Sequence, residues 1–400
     1  MVNKIYKRAI TDQIIKFLGK NDIIVITGSR QVGKTTLLKY LIQNHIKKNV
    51  FYLDLENINL LHLCNSGAKN TYQYLLEHGA NEKEKITLVI DEVQYLNNPS
   101  SFLKIFHDHY VNIQLIVSGS SSFDIKRKFK ESLAGRTVTF EIYPLSFDEF
   151  LLFKNKSYNL TTNNSTTTNI ELIDLAIEYI KYGGYPKIVL ENSVELKQIY
   201  LSQIINTYIR KDIRDIGNIR DIDSFNKLLE LLASQSGSLI NILELSNTLK
   251  LNRTTVSTYL ELLENTFIIK RIRPYHKNLR SELTKHPKIY LLDTGIMHLL
   301  WLKDFPKIIF GNSFETFVFL ELFKLKKDIK FWRTTNMQEI DFIIQSDKLY
   351  SIEVKLNFNN TNLKSLNYFS TKYNSEKIII GLKGEKRGHY IWEFIKNDSL

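Results

Sequence analysis

The sequence predicts an α/β domain with a parallel sheet, followed by a helical middle section and a C-terminal α+β domain. In the first 150 residues, short runs rich in Ile and Val alternate with segments of helical periodicity, as in sheets covered by helices on both faces. The apolar period is helical from residue 170 to about 265, and it is two from 330 to 356. The strands expected in the first domain are residues 23–27, 50–54, 86–91, 113–118 and 138–142.

The chain of 400 residues carries 54 Lys and Arg against 42 Asp and Glu, a formal net charge of +12. Half of this excess lies between residues 270 and 288, where seven basic residues accompany one acidic residue, Glu282. Such a cluster favours a polyanionic partner, DNA in particular. The single cysteine, Cys64, excludes an internal disulfide and a cysteine-cluster metal site. No apolar run has the length of a membrane span, and residues 1–13 lack the apolar region of a secretory signal, so we expect a cytoplasmic protein with no membrane contact.

Residues 28–35 read Gly-Ser-Arg-Gln-Val-Gly-Lys-Thr and fit the pattern G-x-x-x-x-G-K-[ST]. A strand precedes this loop and an amphipathic helix follows it, which is the setting in which backbone N–H groups and a helix N-terminus bind phosphates. Gly28 and Gly33 allow the tight backbone path, Lys34 supplies charge to the β- and γ-phosphates, and Thr35 supplies a hydroxyl for Mg²⁺. ATP and Mg²⁺ are therefore the expected cofactors. The other residues of the predicted nucleotide site are Ser29, Arg30, Gln31, Val32 and Thr36.

A second strand ends in adjacent carboxylates, Asp91 and Glu92. This arrangement places Asp91 on the water shell of the metal and Glu92 on the attacking water, so it predicts hydrolysis as well as binding. The alternative for Glu92 is a solvated loop carboxylate. Ser118 ends the next strand and is expected beside the γ-phosphate as a polar sensor, or else as an ordinary strand-end cap.

Six segments resemble the prokaryotic AAA-type (AAA+/ASCE P-loop) ATPases, whose C-terminal half is catalogued as a domain of unknown function. They read GSRQVGKTTLL, LVIDEVQYL, IVSGSSSF, LAGRTVTFEIYPLSFDEFL, KYGGYPKIV and YIRKDI. The resemblance spans nearly the whole chain except the Asn/Thr-rich stretch 155–169. It implies a P-loop NTPase core of five strands with the phosphate-loop strand at the centre. It also implies that Arg136 contacts the γ-phosphate, with Arg210 as second choice; either could instead form an interface salt bridge.

The middle section contains two helical patterns, residues 238–250 and 254–265, with Asn252 placed to cap the second. Arg253 and several small hydroxyl residues lie at the front of the second helix, where a recognition helix faces a DNA groove. The strand 267–273 that follows predicts the wing of a winged helix-turn-helix, carrying the basic residues Arg271, Arg273 and Lys277. DNA contact through phosphates is the expected role, and a packing or protein-docking module is the alternative.

The C-terminal domain resembles the PD-(D/E)XK nucleases. Glu315 lies near the start of an apolar helix, Asp341 lies in one strand, and Glu353 and Lys355 share a face of the next. The resemblance implies that Asp341, Glu353 and Glu315 hold Mg²⁺ and that Lys355 orients the hydrolytic water. The sequence departs from the pattern at Ile340, where the nucleases have proline. Without cleavage, the same fold would be kept for binding.

The predicted function is a cytoplasmic Mg²⁺-dependent ATPase that acts on duplex or branched DNA, with its nucleotide state coupled to a winged helix and a nuclease-like domain. Two alternatives stay open: an ATP-binding switch that docks a protein partner and keeps a vestigial nuclease domain, and a homo-oligomeric DNA motor such as a branched-junction translocase. The expected order of segments is an ATPase domain (1–154), a polar linker (155–169), a helical connector (170–225), a winged helix-turn-helix domain (226–300) and a nuclease-like domain (301–400).

Overall fold

The computed structural model describes residues 5–46, 48–119, 133–158, 164–213, 217, 219, 221–276, 285–334, 336, 338–361 and 363–395, with the side chains of 210–212 also outside the description. The chain divides into two units, Met1–Tyr143 and Pro144–Leu400. The helix Phe147–Phe153 lies in the second unit. Its first backbone N–H donates to Glu321 Oε2 at 3.0 Å within that unit.

Short runs of Ile and Val form the parallel sheet of the first unit, within one residue of each predicted end. Its strands are β1 (Ile23–Gly28), β2 (Val50–Asp54), β3 (Ile86–Asp91), β4 (Ile113–Gly119) and β5 (Thr137–Ile142), in the order β2-β3-β4-β1-β5. All neighbours are parallel. The central strand is therefore β4 and not the phosphate-loop strand β1, because β4 inserts between β3 and β1 while β5 pairs with the other side of β1.

Helices connect these strands, as parallel pairing requires. They are α1 (Thr11–Ile15), α2 (Lys34–Asn44), α3 (Ile58–Asn65), α4 (Ala68–Glu77) and α5 (Pro99–His109), with a 3₁₀ turn at Val93–Tyr95. The strands β1, β3 and β4 are buried along their whole length. Because all five strands run in one direction, the residues that follow β1, β3 and β4 meet at a single edge of the sheet.

The second unit begins with helices. They are α6 (Phe147–Phe153), α7 (Thr166–Tyr182), α8 (Pro186–Leu190), α9 (Val194–Gln203), a π-helical segment (Ile204–Asp212), α10 (Ile222–Ser234), α11 (Ile242–Leu249) and α12 (Arg253–Asn265). Helix α7 starts inside the predicted linker 155–169, because Ser165 caps it by accepting from Thr168 N at 3.2 Å. Asn241 caps α11 in the same way, so that helix starts later than the predicted residue 238. Asn252 occupies the N-cap position of α12 but makes no capping hydrogen bond through its side chain.

The rest of the second unit combines strands and helices. These are β6 (Ile269–Ile272), β7 (Lys288–Leu291), α13 (Thr294–Leu302), α14 (Gly311–Lys324), β8 (Ile329–Arg333), β9 (Glu339–Gln345), β10 (Leu349–Asn357), a 3₁₀ turn (Phe358–Asn360), α15 (Lys364–Tyr373), β11 (Glu376–Lys383) and α16 (Ile391–Phe394). Strands β6 and β7 form an antiparallel pair, and the last four strands form a mixed sheet in the order β11-β10-β9-β8. Among the described residues, no helix is long and apolar enough to cross a lipid bilayer.

Candidate functional site

The predicted phosphate loop connects β1 to α2. Two of its residues have left-handed backbone angles, Gln31 at φ 64° and Gly33 at φ 98°. A Cβ atom at Gly28 would lie 2.3 Å from the carbonyl oxygen of Ile142, so the loop can lie this close to β5 only with glycine at that position. The sequence pattern thus corresponds to a tight backbone path that ends at the N-terminus of a helix.

Lys34 directs its ammonium back into the loop. Its Nζ atom donates to the carbonyl oxygens of Gly28 and Ser29, both at 3.0 Å, and the side chain is buried. Burial lowers the pKa of Lys34 to about 8, although the nearby carboxylates Glu92 and Asp91 act in the opposite direction. The loop therefore holds one buried cation at the place where the sequence predicts phosphates.

Asp91 accepts hydrogen bonds from three hydroxyl groups. Thr35 Oγ1 donates to its Oδ2 at 2.7 Å, Tyr52 OH donates to the same oxygen at 2.7 Å, and Ser118 Oγ donates to Oδ1. Three of the predicted site residues, Thr35, Asp91 and Ser118, therefore lie together. Sequence reasoning missed Tyr52, which burial and its bond to Asp91 hold protonated by raising its pKa far above the usual value.

Glu92 directly follows β3 with a left-handed backbone at φ 58°. Its N–H donates to Ser118 Oγ at 3.3 Å, and its carboxylate oxygen Oε2 accepts from Gln94 Nε2. The backbone turn and the Gln94 amide together fix the direction of the Glu92 side chain. Sequence reasoning also missed Gln94. Its position only two residues after Glu92 could have indicated a contact between the two side chains.

A hydroxyl and a carboxylate side by side are ligands that suit Mg²⁺, which prefers oxygen. Thr35 and Asp91 supply such a pair 2.7 Å apart, next to the buried Lys34 ammonium. The residues present therefore fit the expected metal ion at the nucleotide site.

Arg136 lies at the wrong end of the sheet for its expected role. Its carbonyl oxygen accepts from the N–H of Ile23, the first residue of β1, whereas the phosphate loop follows the last residue of that strand. Its guanidinium binds Asp108 through Nε to Oδ1 at 2.8 Å and Nη2 to Oδ2 at 3.1 Å. This pair lowers the pKa of Asp108 to about 2. Arg136 therefore does not contact a γ-phosphate bound by its own chain, and the side chain of the second choice, Arg210, lies outside the described residues.

Arg8 is a further residue at the loop that the sequence patterns did not reveal. Its Nη1 donates to the carbonyl oxygen of Val32 at 2.7 Å, and its Nη2 donates to that of Tyr143 at 2.8 Å. The guanidinium is buried. It links the phosphate loop to the residue that follows β5.

The four residues of the predicted nuclease-like constellation come together in the second unit. Asp341 Oδ2 accepts from the N–H of Val354 at 2.8 Å, and Lys355 Nζ lies 2.7 Å from Glu353 Oε1. Burial raises the pKa of Glu353 to about 7. The negative charges of Asp341 and, more weakly, of Glu315 on α14 act in the same direction. These carboxylates therefore lie close enough to repel one another.

The same cluster contains Lys288, the last residue of the basic stretch 270–288. Lys288 Nζ lies 2.7 Å from Glu339 Oε1, 3.2 Å from Glu315 Oε1 and 3.7 Å from Asp341 Oδ1. Within the described ranges, no group of three or more His, Cys, Asp or Glu side chains is placed to hold a metal ion. The residues present thus do not fit the Mg²⁺ expected there from Glu315, Asp341 and Glu353, because an ammonium lies between the carboxylates.

A groove of about 950 Å³ lies elsewhere in the second unit, between the start of α12, strand β6 and the segment 327–330. Most of the charged residues in its lining are basic, with Glu264 and Asp328 as the acidic members. Glu264 pairs with Lys270 at 3.0 Å and with Arg271 at 2.8 Å. The basic residues are Arg253, Lys270, Arg271, Arg273, Lys285, Lys327 and Lys330. Two further residues of the sequence cluster, Lys277 and Arg280, lie outside the described part of the chain.

Three family profiles match consecutive parts of the chain. Residues 20–151 match an "AAA domain", residues 173–307 a "Domain of unknown function (DUF8612)", and residues 310–394 a "Domain of unknown function (DUF4143)". Together with the parallel sheet and the phosphate loop, the first match makes the N-terminal part a P-loop ATPase domain of the AAA type.

Relatives of similar length occur in bacteria and archaea. An uncharacterized protein of Haemophilus influenzae is 29% identical over 381 residues, covering 92% of this chain and 91% of its own. An uncharacterized protein of Methanocaldococcus jannaschii is 29% identical over 350 residues, covering 86% and 76%. Among solved structures, a Walker-type ATPase of Pyrococcus abyssi is 13% identical, with a TM-score of 0.46 over 74% of this chain and 96% of that one.

Proposed function

We propose that this chain is a Mg²⁺-dependent ATPase that acts on DNA, with hydrolysis in the first unit and DNA contact in the second. The observation that carries the proposal is that Thr35 and Ser118 each lie within hydrogen-bonding distance of Asp91, the residue directly before Glu92. Lys34 lies in the adjoining loop with its charge buried. These side chains are the ones that phosphoryl transfer to water requires.

In this proposal each residue has one task. With nucleotide bound, Lys34 would exchange its two carbonyl partners for phosphate oxygens. Thr35 and Asp91 would hold Mg²⁺, whose positive charge would offset the negative charge of the β- and γ-phosphates. Glu92 accepts the proton of the attacking water, and Gln94 keeps its carboxylate in place. Ser118 accepts from the N–H of Glu92 and donates to Asp91, so it connects the residue proposed to bind the metal with the residue proposed as the base.

In this scheme Arg136 of the same chain is not the arginine at the γ-phosphate, and Arg210 stays the second choice. Arg136 is committed to Asp108 at the opposite edge of the sheet. An arginine from a second copy of the chain fits the homo-oligomer foreseen from the sequence, and its absence in a monomer would leave turnover slow.

DNA contact is proposed for the groove beside α12. Helices α10, α11 and α12 followed by the β6–β7 pair, with Leu239 bridging to Lys288, have the order of elements in a winged helix. Seven basic side chains against two acidic ones line the groove, which suits a polyanion. Arg253 and Arg273 are exposed, and neither forms an ion pair within the described part of the chain, so both are available to phosphates.

One observation favours the docking alternative. Glu264 forms ion pairs with Lys270 and Arg271, two of the residues that a DNA-binding wing would present. If the second unit docks a protein, the ATPase will not respond to DNA.

The experiment that separates these functions is ATP turnover by the purified chain with no DNA and with single-stranded, duplex or branched DNA. Stimulation by DNA that is lost when Arg253 and Arg273 are replaced by alanine would support the proposal. Turnover that is equal in all four conditions would refute DNA action and leave the docking switch. Stimulation by branched DNA together with assembly into rings would favour the motor.

A further inference from the structure

The ammonium of Lys288 is buried, which is unusual for a lysine. Only 2% of this residue is exposed, although it stands in a sequence segment rich in basic residues. Three carboxylates surround it at 2.7 to 3.7 Å, from α14 (Glu315) and β9 (Glu339 and Asp341). A lysine is buried at this depth only when its charge is matched, and here the match comes from side chains far apart in sequence.

The backbone holds Lys288 in this place. Its strand β7 pairs with β6 at Ile272, and Leu239 bridges to the same residue from the other side. Tyr290, two residues further on the same face of β7, donates its OH to Glu315 Oε1 at 2.7 Å. Two side chains of one strand thus bind one carboxylate, which keeps Glu315 beside the ammonium.

We propose that Lys288 is a built-in cation that takes the place of a divalent metal ion in the carboxylate cluster of Glu315, Glu339 and Asp341. A metal ion in such a cluster would neutralise the repulsion between buried carboxylates, and the ammonium already does so. Mg²⁺ requires oxygen ligands at about 2.0–2.1 Å in a nearly octahedral shell. An ammonium within hydrogen-bonding distance of the same oxygens occupies the space that this shell needs.

Glu353 shows that the cluster keeps an unused ligand atom. Its Oε1 pairs with Lys355, while its Oε2 is buried and has no hydrogen-bond partner among the residues that the structure describes. The residue itself is 7% exposed. Once the ammonium of Lys288 is removed, we expect this oxygen and those of the neighbouring carboxylates to close around a divalent cation such as Mg²⁺ or Mn²⁺, which prefers hard oxygen ligands and offsets their repulsion.

The inference reaches beyond ATP hydrolysis and DNA contact. In this proposal Lys288 stabilises the carboxylates of the C-terminal part without a metal ion. Metal-dependent cleavage of DNA then does not take place there. Loss of the lysine is expected to create a metal site that the parent chain does not have.

The test is Mn²⁺ binding to the full, nucleotide-free chain, measured by equilibrium dialysis and by the paramagnetic resonance of bound Mn²⁺. The proteins are the parent, Lys288→Met, Lys288→Arg as the variant that keeps the charge, and Lys288→Met/Asp341→Asn. Lys288→Met should bind one Mn²⁺ more than the parent, and Lys288→Arg should bind no more than the parent. Adding Asp341→Asn should remove the extra ion, which places it in the cluster and not at the nucleotide site.

Two results of the Mn²⁺ measurement would overturn the proposal. One is a Mn²⁺ ion in the parent chain that Asp341→Asn alone removes, since metal and lysine would then coexist. The other is a folded Lys288→Met that binds no additional Mn²⁺. If Lys288→Met does not fold, Lys288→Met/Glu339→Gln has less unpaired buried charge and gives the same readout. DNA cleavage by the parent with Mn²⁺ that depends on Asp341 would equally contradict it.

Discussion

Thr35 Oγ1 lies 2.7 Å from Asp91 Oδ2, although 56 residues separate the two in the chain. The contact exists because β1 and β3 run parallel on either side of β4, so the helix that follows β1 and the carboxylate that ends β3 reach the same edge of the sheet. This pair joins the two halves of the nucleotide site.

Replacing Lys34 by alanine should weaken ATP binding about 10- to 100-fold, because a hydrogen bond to a charged partner contributes roughly 1.5–3 kcal/mol. Lys39 provides the matched control, since it lies on the same helix with its side chain exposed. Fluorescent-nucleotide titration of Lys34→Ala and Lys39→Ala measures the effect. Equal affinities in the two variants would show that the loop lysine does not bind phosphate.

Gln94→Ala should lower ATP turnover by roughly 10- to 100-fold and leave ATP affinity unchanged, because it releases the Glu92 carboxylate without touching the phosphate loop. The control is Asn97→Ala, which changes an exposed amide of the same loop. Steady-state turnover and nucleotide titration on both variants separate the two effects. A loss of affinity in Gln94→Ala, with normal turnover at saturation, would contradict the positioning role.

Replacing Arg253 and Arg273 by alanine should weaken duplex binding about equally for all sequences. Each lost phosphate contact reduces the slope of log affinity against log salt by about 0.9, so the double variant should lose up to about two units. Lys69 and Lys83, which are exposed in the first unit, form a control pair of the same charge. Filter binding over a salt series gives the slopes, and an unchanged slope in the Arg253/Arg273 variant would remove DNA from the groove.

His298 predicts an acid-sensitive stability in the second unit. Burial lowers its pKa to about 4, and the neutral ring lies 2.8 Å from Ser313 Oγ and 3.1 Å from the Lys181 carbonyl oxygen. In the unfolded chain a histidine binds its proton near pH 6.5, so the stability that this ring contributes is complete above pH 6.5 and is lost as the pH falls towards 4. The loss amounts to about 3 kcal/mol over this range.

Urea unfolding between pH 7 and pH 4 of the parent and of His298→Asn measures this loss, and the exposed His286→Asn serves as control. Asp293 works in the opposite direction, because burial raises its pKa to about 6, so only the difference between the variant and the parent isolates His298. The parent should lose stability relative to His298→Asn on acidification. Parallel pH profiles of these two proteins would contradict the assignment.

Local patterns were sufficient to predict that the phosphate loop and the strand-end carboxylates share one edge of the sheet. Gly28, Lys34 and Thr35 follow one another in the chain, and a strand of buried residues ends at Asp91, so short-range periodicity predicts both the elements and their common edge. The strand ends agree with the prediction because a strand buried on both faces is a continuous apolar run with sharp limits.

Contacts between distant strands could not be predicted in the same way. Tyr52 and Arg8 reach the site across other elements, and their partners depend on register and side-chain direction, which no local pattern contains. The sequence places Lys288 in a basic stretch because its neighbours are basic. In the structure, its side chain points from β7 towards carboxylates that lie about 27 to 53 residues away in the chain. Arg136 was assigned from its motif alone, and the direction of β5 places it at the other end of the sheet.

The most direct test of the central claim is a comparison of ATP binding and ATP turnover in Glu92→Gln and in the parent chain with Mg²⁺. Glutamine keeps the size of the side chain and cannot accept the proton of the attacking water. We expect nucleotide affinity within about twofold of the parent and turnover reduced by roughly 10²–10⁴-fold, the usual contribution of a general base. Turnover at the parental rate in Glu92→Gln would contradict the assignment of Glu92 and, with it, the mechanism proposed for this ATPase.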